Sequence, residues 1–153
     1  MSNRLPSVRL VDVEAANWSK VVDVAPRPDQ GRFVAPVARY LCLCHYGGEW
    51  NPLAIESDGS IVGHVMWGVD EEDGSTWLGG LVIDADAQGR GIGRAAVVAF
   101  LDRFTENKQT NIALSYSPDN LAARKLYSDL GFVETGEMEG DEVVARYRRS
   151  WTK

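Results

Sequence analysis

The segment Gln88-Gly89-Arg90-Gly91-Ile92-Gly93 constrains the fold of this chain more than any other. Its three alternating glycines sit between an apolar run, Leu81-Val82-Ile83, and a helical stripe made by Val97, Phe100, Leu101 and Phe104. A strand that turns into a helix through glycines leaves consecutive backbone N–H groups facing inward at the positive end of the helix dipole. Such a turn is an anion site, and phosphate is its natural guest. Arg90 and Arg94 bring two guanidinium groups beside it, and guanidinium forks match phosphate oxygens.

Elsewhere the apolar pattern alternates between short strands and amphipathic helices. Val8 to Val13 predicts a first strand, and Asn17, Trp18 and Val21-Val22 predict a short helix that ends before Pro26 and Pro28. Pro36 opens a second helix with its face at Val37, Tyr40, Leu41 and Cys44, closed by Gly47-Gly48. Leu53 to Glu56 and Ile61 to Val69 read as a hairpin across Asp58-Gly59, followed by a strand from Thr76 to Asp84. The pair Gly79-Gly80 inside that last strand marks a bulge or a close backbone approach.

After the glycine turn, the helix over Val97 to Phe104 runs out at Glu106-Asn107, and Ile112 to Tyr116 predicts another strand. Ser117-Pro118 supplies a cap and a first-turn proline for a helix with its face at Ala123, Leu126, Tyr127 and Leu130, stopped by Gly131. Phe132 to Glu137 and Val143 to Tyr147 close the chain as a hairpin. The expected fold class is α/β (α+β): a single mixed, mostly antiparallel sheet of about seven strands with helices on both faces. With 153 residues, 44% of them hydrophobic, residues 1–153 form one domain with one core.

Charge and cysteine usage narrow the function. A formal charge of -6 argues against a nucleic-acid partner and favours cationic small molecules. Cys42 and Cys44 lie about 200° apart on a helix, too divergent to pair, and no Cys/His cluster has metal spacing. Met1 to Pro6 carries no apolar leader, and no stretch reaches the ~20 apolar residues needed to span a bilayer. A cytoplasmic enzyme with no membrane partner and no metal is expected.

Two nucleotide-binding patterns compete for the glycine turn. Gly91-Ile92-Gly93-Arg94-Ala95-Ala96 satisfies G-x-G-x-x-G/A, the dinucleotide fingerprint. Its context fits poorly: the strand before it follows antiparallel hairpins, and the first acid after the next strand, Asp119, starts a helix. The run Leu81 to Gly93 instead resembles the acetyl-coenzyme A motif of the GNAT superfamily of N-acetyltransferases, with Gln88, Gly91 and Gly93 in the motif positions. Asn120, Ala123, Leu126, Tyr127, Leu130, Gly131 and Phe132 match that superfamily's N-x-x-A-x-x-L-Y-x-x-x-G-F stretch, in the right order along the chain.

The resemblance implies acetyl-CoA as cosubstrate and the GNAT fold. It places the pantetheine arm against backbone groups of Leu81, Val82 and Ile83, and the pyrophosphate on Gln88, Gly89, Arg90, Gly91, Ile92, Gly93 and Arg94. The amide of Leu81 would stabilise the oxyanion. Asn120 would contact the coenzyme, and Tyr127 would bind it and protonate the leaving thiolate. Many members carry a carboxylate on the strand before the turn, but Thr76 to Ile83 contains none. Glu49, His64 and Asp84 are therefore the base candidates, with Trp50 beside Glu49 as a substrate contact. Cys42 and Cys44 lack an adjacent base, so direct transfer in a ternary complex is expected over an acyl-enzyme.

Asn17-Trp18, Gln30 to Pro36 and the run from Met66 are similar to bacterial diamine and polyamine (spermidine) acetyltransferases. That similarity implies a primary amine on a small cationic substrate, held by charge and by Trp18, Trp50 and Trp67. A homodimer paired through the C-terminal hairpin is a further expectation. Two alternatives stay open at this point, a catalytically degenerate acyl-CoA-binding module and a dinucleotide-binding oxidoreductase.

Overall fold

The computed structural model describes residues 5–105 and 111–148. Seven strands form one sheet: β1 (Arg9–Asp12), β2 (Trp50–Ser57), β3 (Ser60–Val69), β4 (Thr76–Ile83), β5 (Ile112–Tyr116), β6 (Phe132–Glu139) and β7 (Glu142–Tyr147). Their spatial order is β1-β2-β3-β4-β5-β7-β6. Every pairing is antiparallel except β4 with β5. The four helices are α1 (Trp18–Val22), α2 (Val37–Gly47), α3 (Ile92–Thr105) and α4 (Leu121–Asp129).

The alternation of strand side chains gives the sheet two apolar faces. On one, Leu53, Ile55, Val65, Ile112 and Leu114 pack with Val97, Phe100 and Leu101 of α3 and Tyr127 of α4. On the other, Ala54 and Val82 meet Val21 of α1, Val24 and Val37 of α2. Helices on both faces, a single core region around one sheet and the hairpin across Asp58-Gly59 agree with the pattern read from the sequence.

Two details differ. The fourth helix does not start at Ser117-Pro118: those residues form a turn, and Asn120 is the N-cap, its side chain accepting from Ala123 N at 3.2 Å. Strand β2 begins three residues before Leu53 and includes Pro52. It tolerates a residue without an N–H because β1 pairs no further than Leu53, which leaves Pro52 at an open edge. The Glu106-Asn107 end of α3 lies outside the described residues.

Two irregularities position the functional site. Ladder pairing between β4 and β5 stops after Thr76 with Ile112 and Trp77 with Ala113, so the strands part along the rest of β4. In the β3–β4 ladder, His64 faces Val82 and Met66 faces Gly79, which leaves both Gly80 and Leu81 opposite Val65. This β-bulge is the one that the glycine pair predicted. Its Gly80 has φ +57°, where a Cβ would be strained and would lie 3.2 Å from the His64 ring.

Candidate active site

At the end of β4 the chain passes through a short 3-10 turn, Ala85–Ala87, into the glycine segment. Gly89 and Gly91 both have φ +81°, which rotates successive amides toward the same side. Among the described residues, no acceptor meets the amides of residues 89 through 94, and the first bond of α3 is Ala95 N to Gly91 O at 3.0 Å. Six consecutive unpartnered N–H groups at a helix start are a cradle for an anion with several oxygens.

The side chains around the cradle have other tasks than the sequence suggested. Gln88 exchanges amide hydrogen bonds with Gln30 at 2.7 and 2.9 Å and donates to Ile83 O at 2.9 Å. It straps the turn to the Pro28–Gln30 segment and to the end of β4. Arg94 is ion-paired with Asp129 of α4 at 3.1 Å, and Arg90 donates to Asp86 O at 3.1 Å. The two guanidinium groups expected beside the phosphate thus each have one protein partner in this structure, and the backbone amides, those of Ile92 and Gly93 among them, line the turn without any.

Beside the cradle, the parting of β4 from β5 opens a cleft of about 1570 Å³. Which backbone groups of β4 face it follows from strand alternation. Val82 O points at β3, only 2.7 Å from where a Gly63 Cβ would stand, and Asp84 N donates to Val62 O. Val82 thus spends its backbone on the ladder with β3. Leu81 and Ile83, on the opposite phase, turn away from β3 toward the gap; Leu81 has no ladder partner, while Ile83 O already accepts from Gln88. An extended ligand with amide groups can pair there as a sheet strand would.

Tyr127 and Asn120 line the same cleft from α4. Tyr127 is buried, yet its hydroxyl has no partner among the described residues. The only sealed, unpartnered polar side-chain atom there is His64 Nε2, so the phenol opens to the cleft. Burial raises its pKa, with the neighbouring Tyr116 adding to the effect, so Tyr127 keeps its proton. Tyr116 stacks on it at 5.8 Å and is itself pushed up to about 12 by burial and by its bond to Glu134. Asn120 uses its carbonyl oxygen as the helix cap, leaving its NH₂ available to a ligand.

The base candidates separate cleanly. His64 is fully buried and lines no part of the cleft; burial pushes its pKa down to about 4, against a smaller opposing effect of its bond to Gly80. Asp84 accepts from Ala25 N and Asp86 N, fastening two loops away from the cleft. Glu49 is exposed at the cleft wall next to Trp50. Trp50 lies over Gly79, where a Cβ would approach its ring to 3.0 Å, so a carboxylate side chain on that part of β4 has no room. Burial raises the Cys44 thiol to about 11, and neither cysteine lines the cleft.

Sequence reading missed several acids. Asp70, Glu71 and Glu72 join Glu49 along the cleft, with Glu139 and Glu142 on another wall, against the cations Arg27 and Arg32. Their signal was weak because they sit in turns, where acids are ordinary. Among the described residues no group of three or more His, Cys, Asp or Glu is arranged to hold a metal, and no helix is long and apolar enough to cross a membrane.

A sheet that is antiparallel except for the short β4–β5 pairing, with an amide cradle at the head of α3 beside the gap where those strands part, suits an acyl-CoA-dependent transferase better than the βαβ unit of a dinucleotide-binding oxidoreductase. The model of the acetyltransferase (GNAT) family matches residues 16–132, and the chain belongs to that family. The spermine/spermidine N(1)-acetyltransferase of Bacillus subtilis (strain 168) is 27% identical over 154 residues, covering 92% of this chain and 98% of that protein. Among solved structures, the spermidine N-acetyltransferase of Vibrio cholerae, in complex with CoA and spermine, superposes with a TM-score of 0.69 at 20% identity, covering 91% of this chain and 92% of that one. AAC(6')-Ib, in complex with ribostamycin and coenzyme A, superposes with a TM-score of 0.77 at 21% identity, covering 94% of each chain.

The chain is thus an acetyl-CoA-dependent N-acetyltransferase, and its own residues fit that cosubstrate. The unpartnered amides of residues 89 through 94 suit a diphosphate, and the free edge at Leu81 and Ile83 suits the amides of a pantetheine arm.

Proposed function

We propose that this enzyme acetylates a primary amine of a small polycation of the diamine or polyamine kind, by direct attack in a ternary complex. The observation that carries the reading is the acidic wall of the cleft. Glu49, Asp70, Glu71 and Glu72 lie along it together with Trp50, so charge and an aromatic face can both receive an alkylammonium chain. The relative from Bacillus subtilis, named for spermine and spermidine, supports the same class.

Acetyl-CoA supplies an activated thioester carbonyl. The amides of residues 89 through 94 hold the diphosphate, and Leu81 and Ile83 align the arm along β4. Leu81 N–H points at the acyl oxygen and stabilises the negative charge that builds there. Glu49, the one base candidate on the cleft wall, takes a proton from the ammonium directly or through water. The new C–N bond forms and the C–S bond breaks; Tyr127 gives its proton to the departing sulfur, and the second proton shed by the acylated nitrogen passes through water to restore the Tyr127 phenol.

The experiment is release of free thiol from acetyl-CoA with spermidine, spermine, putrescine, an aminoglycoside and a peptide N-terminus, repeated with Glu49→Gln. The linear polyamines are expected to give the highest kcat/KM. The Gln variant is expected to lose activity at neutral pH and regain it as alkaline buffer deprotonates the amine. Preference for the peptide would overturn the substrate class. A pH profile unchanged by Glu49→Gln would remove Glu49 as the base.

A further inference from the structure

His64 is the one described polar side chain that the fold buries completely while leaving an atom unpartnered. Its Nδ1 lies 2.8 Å from Gly80 O, and its Nε2 is sealed from solvent with no hydrogen bond. The ring is clamped: Tyr40 stacks on it at 5.5 Å and 5° between planes, and the Tyr40 hydroxyl is pinned by accepting from Ala35 N at 2.9 Å. A buried imidazole with an idle nitrogen is a poor choice for packing, since a leucine would fill the space without desolvating a polar atom.

The other end of its single hydrogen bond explains its presence. Gly80 O and Leu81 N–H belong to one peptide unit, which is planar and trans, so the two groups point in opposite directions. Fixing the carbonyl fixes the amide. The β-bulge has removed the ladder bonds that would otherwise hold this peptide, and Gly80 lacks the Cβ that would limit its rotation. His64 stands in for the missing ladder.

We propose that His64 is a positioning residue for acetyl transfer: Nδ1–H, donating to Gly80 O, locks the Gly80–Leu81 peptide so that Leu81 N–H is held in the cleft toward the acyl oxygen. This rests on the acetyl-transfer reading above. The same bond draws electron density from the peptide and strengthens Leu81 N–H as a donor. His64 never touches substrate, and its neutral form is the one required, because Nε2 has no acceptor to receive a second proton. The close packing of its ring on Gly80 also accounts for glycine there: a Cβ would meet His64 Cε1 at 3.2 Å and Met66 Cγ at 3.4 Å.

The test compares His64→Leu, His64→Asn and His64→Gln. An Asn amide can place N–H near the site of Nδ1, whereas the Gln amide reaches the site of Nε2. In His64→Leu, kcat is expected to fall about tenfold, less than the loss for deleting an oxyanion donor outright, while KM for acetyl-CoA and thermal stability hold. His64→Asn is expected to recover most of kcat and His64→Gln little. Amide hydrogen exchange at Leu81 is read in the same proteins without coenzyme; it should accelerate in the Leu variant and slow again in the Asn variant. Full kcat in His64→Leu, or kcat and stability falling together in all three variants, would overturn the proposal. If the wild-type protein transferred no acetyl group, the parent reading would fail by itself. Leu81 exchange would still decide the lock, with an unchanged rate in His64→Leu counting against it.

Discussion

In the sequence, Tyr127 belongs to the apolar stripe of α4 with Ala123, Leu126 and Leu130, and the family resemblance also gives it the proton for the leaving thiolate. The structure gives it core contacts and a place on the cleft lining. Its ring stacks on Tyr116 and meets Phe132 edge-on at 5.6 Å, while its hydroxyl has no partner among the described residues and opens to the cleft. A phenol whose pKa is raised by burial stays protonated at neutral pH, so its proton is there for a departing thiolate. Tyr127→Phe therefore separates the two roles. Turnover is expected to drop by about 10²-fold, the lower range for loss of a general acid. Coenzyme affinity and melting temperature should hold, since no hydrogen bond within the protein is lost. Steady-state kinetics beside a thermal melt checks this; a lowered melting temperature with unchanged turnover would return Tyr127 to packing alone.

Among the elements, α4 shows where local sequence signals mislead. Ser117-Pro118 has the right residues for a helix start, yet Ser117 Oγ accepts from Asp119 N and Asn120 N donates to Ser117 O, closing a turn first. Asn120 then caps the helix three residues later, which sets its NH₂ in the cleft. Asn120→Ala should cost about 1 kcal/mol, or ~3 °C in melting temperature for a chain this size, and weaken coenzyme binding as well. Asn120→Asp keeps the cap oxygen and suits the helix dipole, so stability should hold while coenzyme affinity falls about fivefold through the lost donors. Calorimetric titration and melting of both variants would sink the dual role if the Asp protein bound coenzyme as well as the wild type. The glycine turn and the bulge at Gly79-Gly80 were legible because positive φ leaves glycine as its signature. The commitments of Arg94 to Asp129, Gln88 to Gln30 and Val82 to β3 were not, since each depends on partners distant in sequence or on ladder phase.

For the whole molecule, the formal charge of -6 and the acids along the cleft bear differently on the two proposed substrates. On the proposed reading the field gathers a polycation and repels the diphosphate of the coenzyme, which the uncharged, unpartnered amides of residues 89 through 94 would hold at close range. This division was only half visible in the sequence. Net charge could be counted, but Asp70, Glu71 and Glu72 come to the cleft only because β3 and β4 carry their turn to its edge. Salt should then move the two Michaelis constants in opposite directions. Raising ionic strength from 0.01 to 0.15 M shortens the screening length from about 30 to about 8 Å. Over that range kcat/KM for spermidine is expected to fall about tenfold, with a smaller fall for a monoamine, while KM for acetyl-CoA holds or decreases. Initial rates with each substrate varied in turn at a series of salt concentrations measure both slopes. Parallel weakening of amine and coenzyme would show that cations of the protein hold the diphosphate. Equal slopes for the monoamine and spermidine would show that the acidic wall does not read charge number.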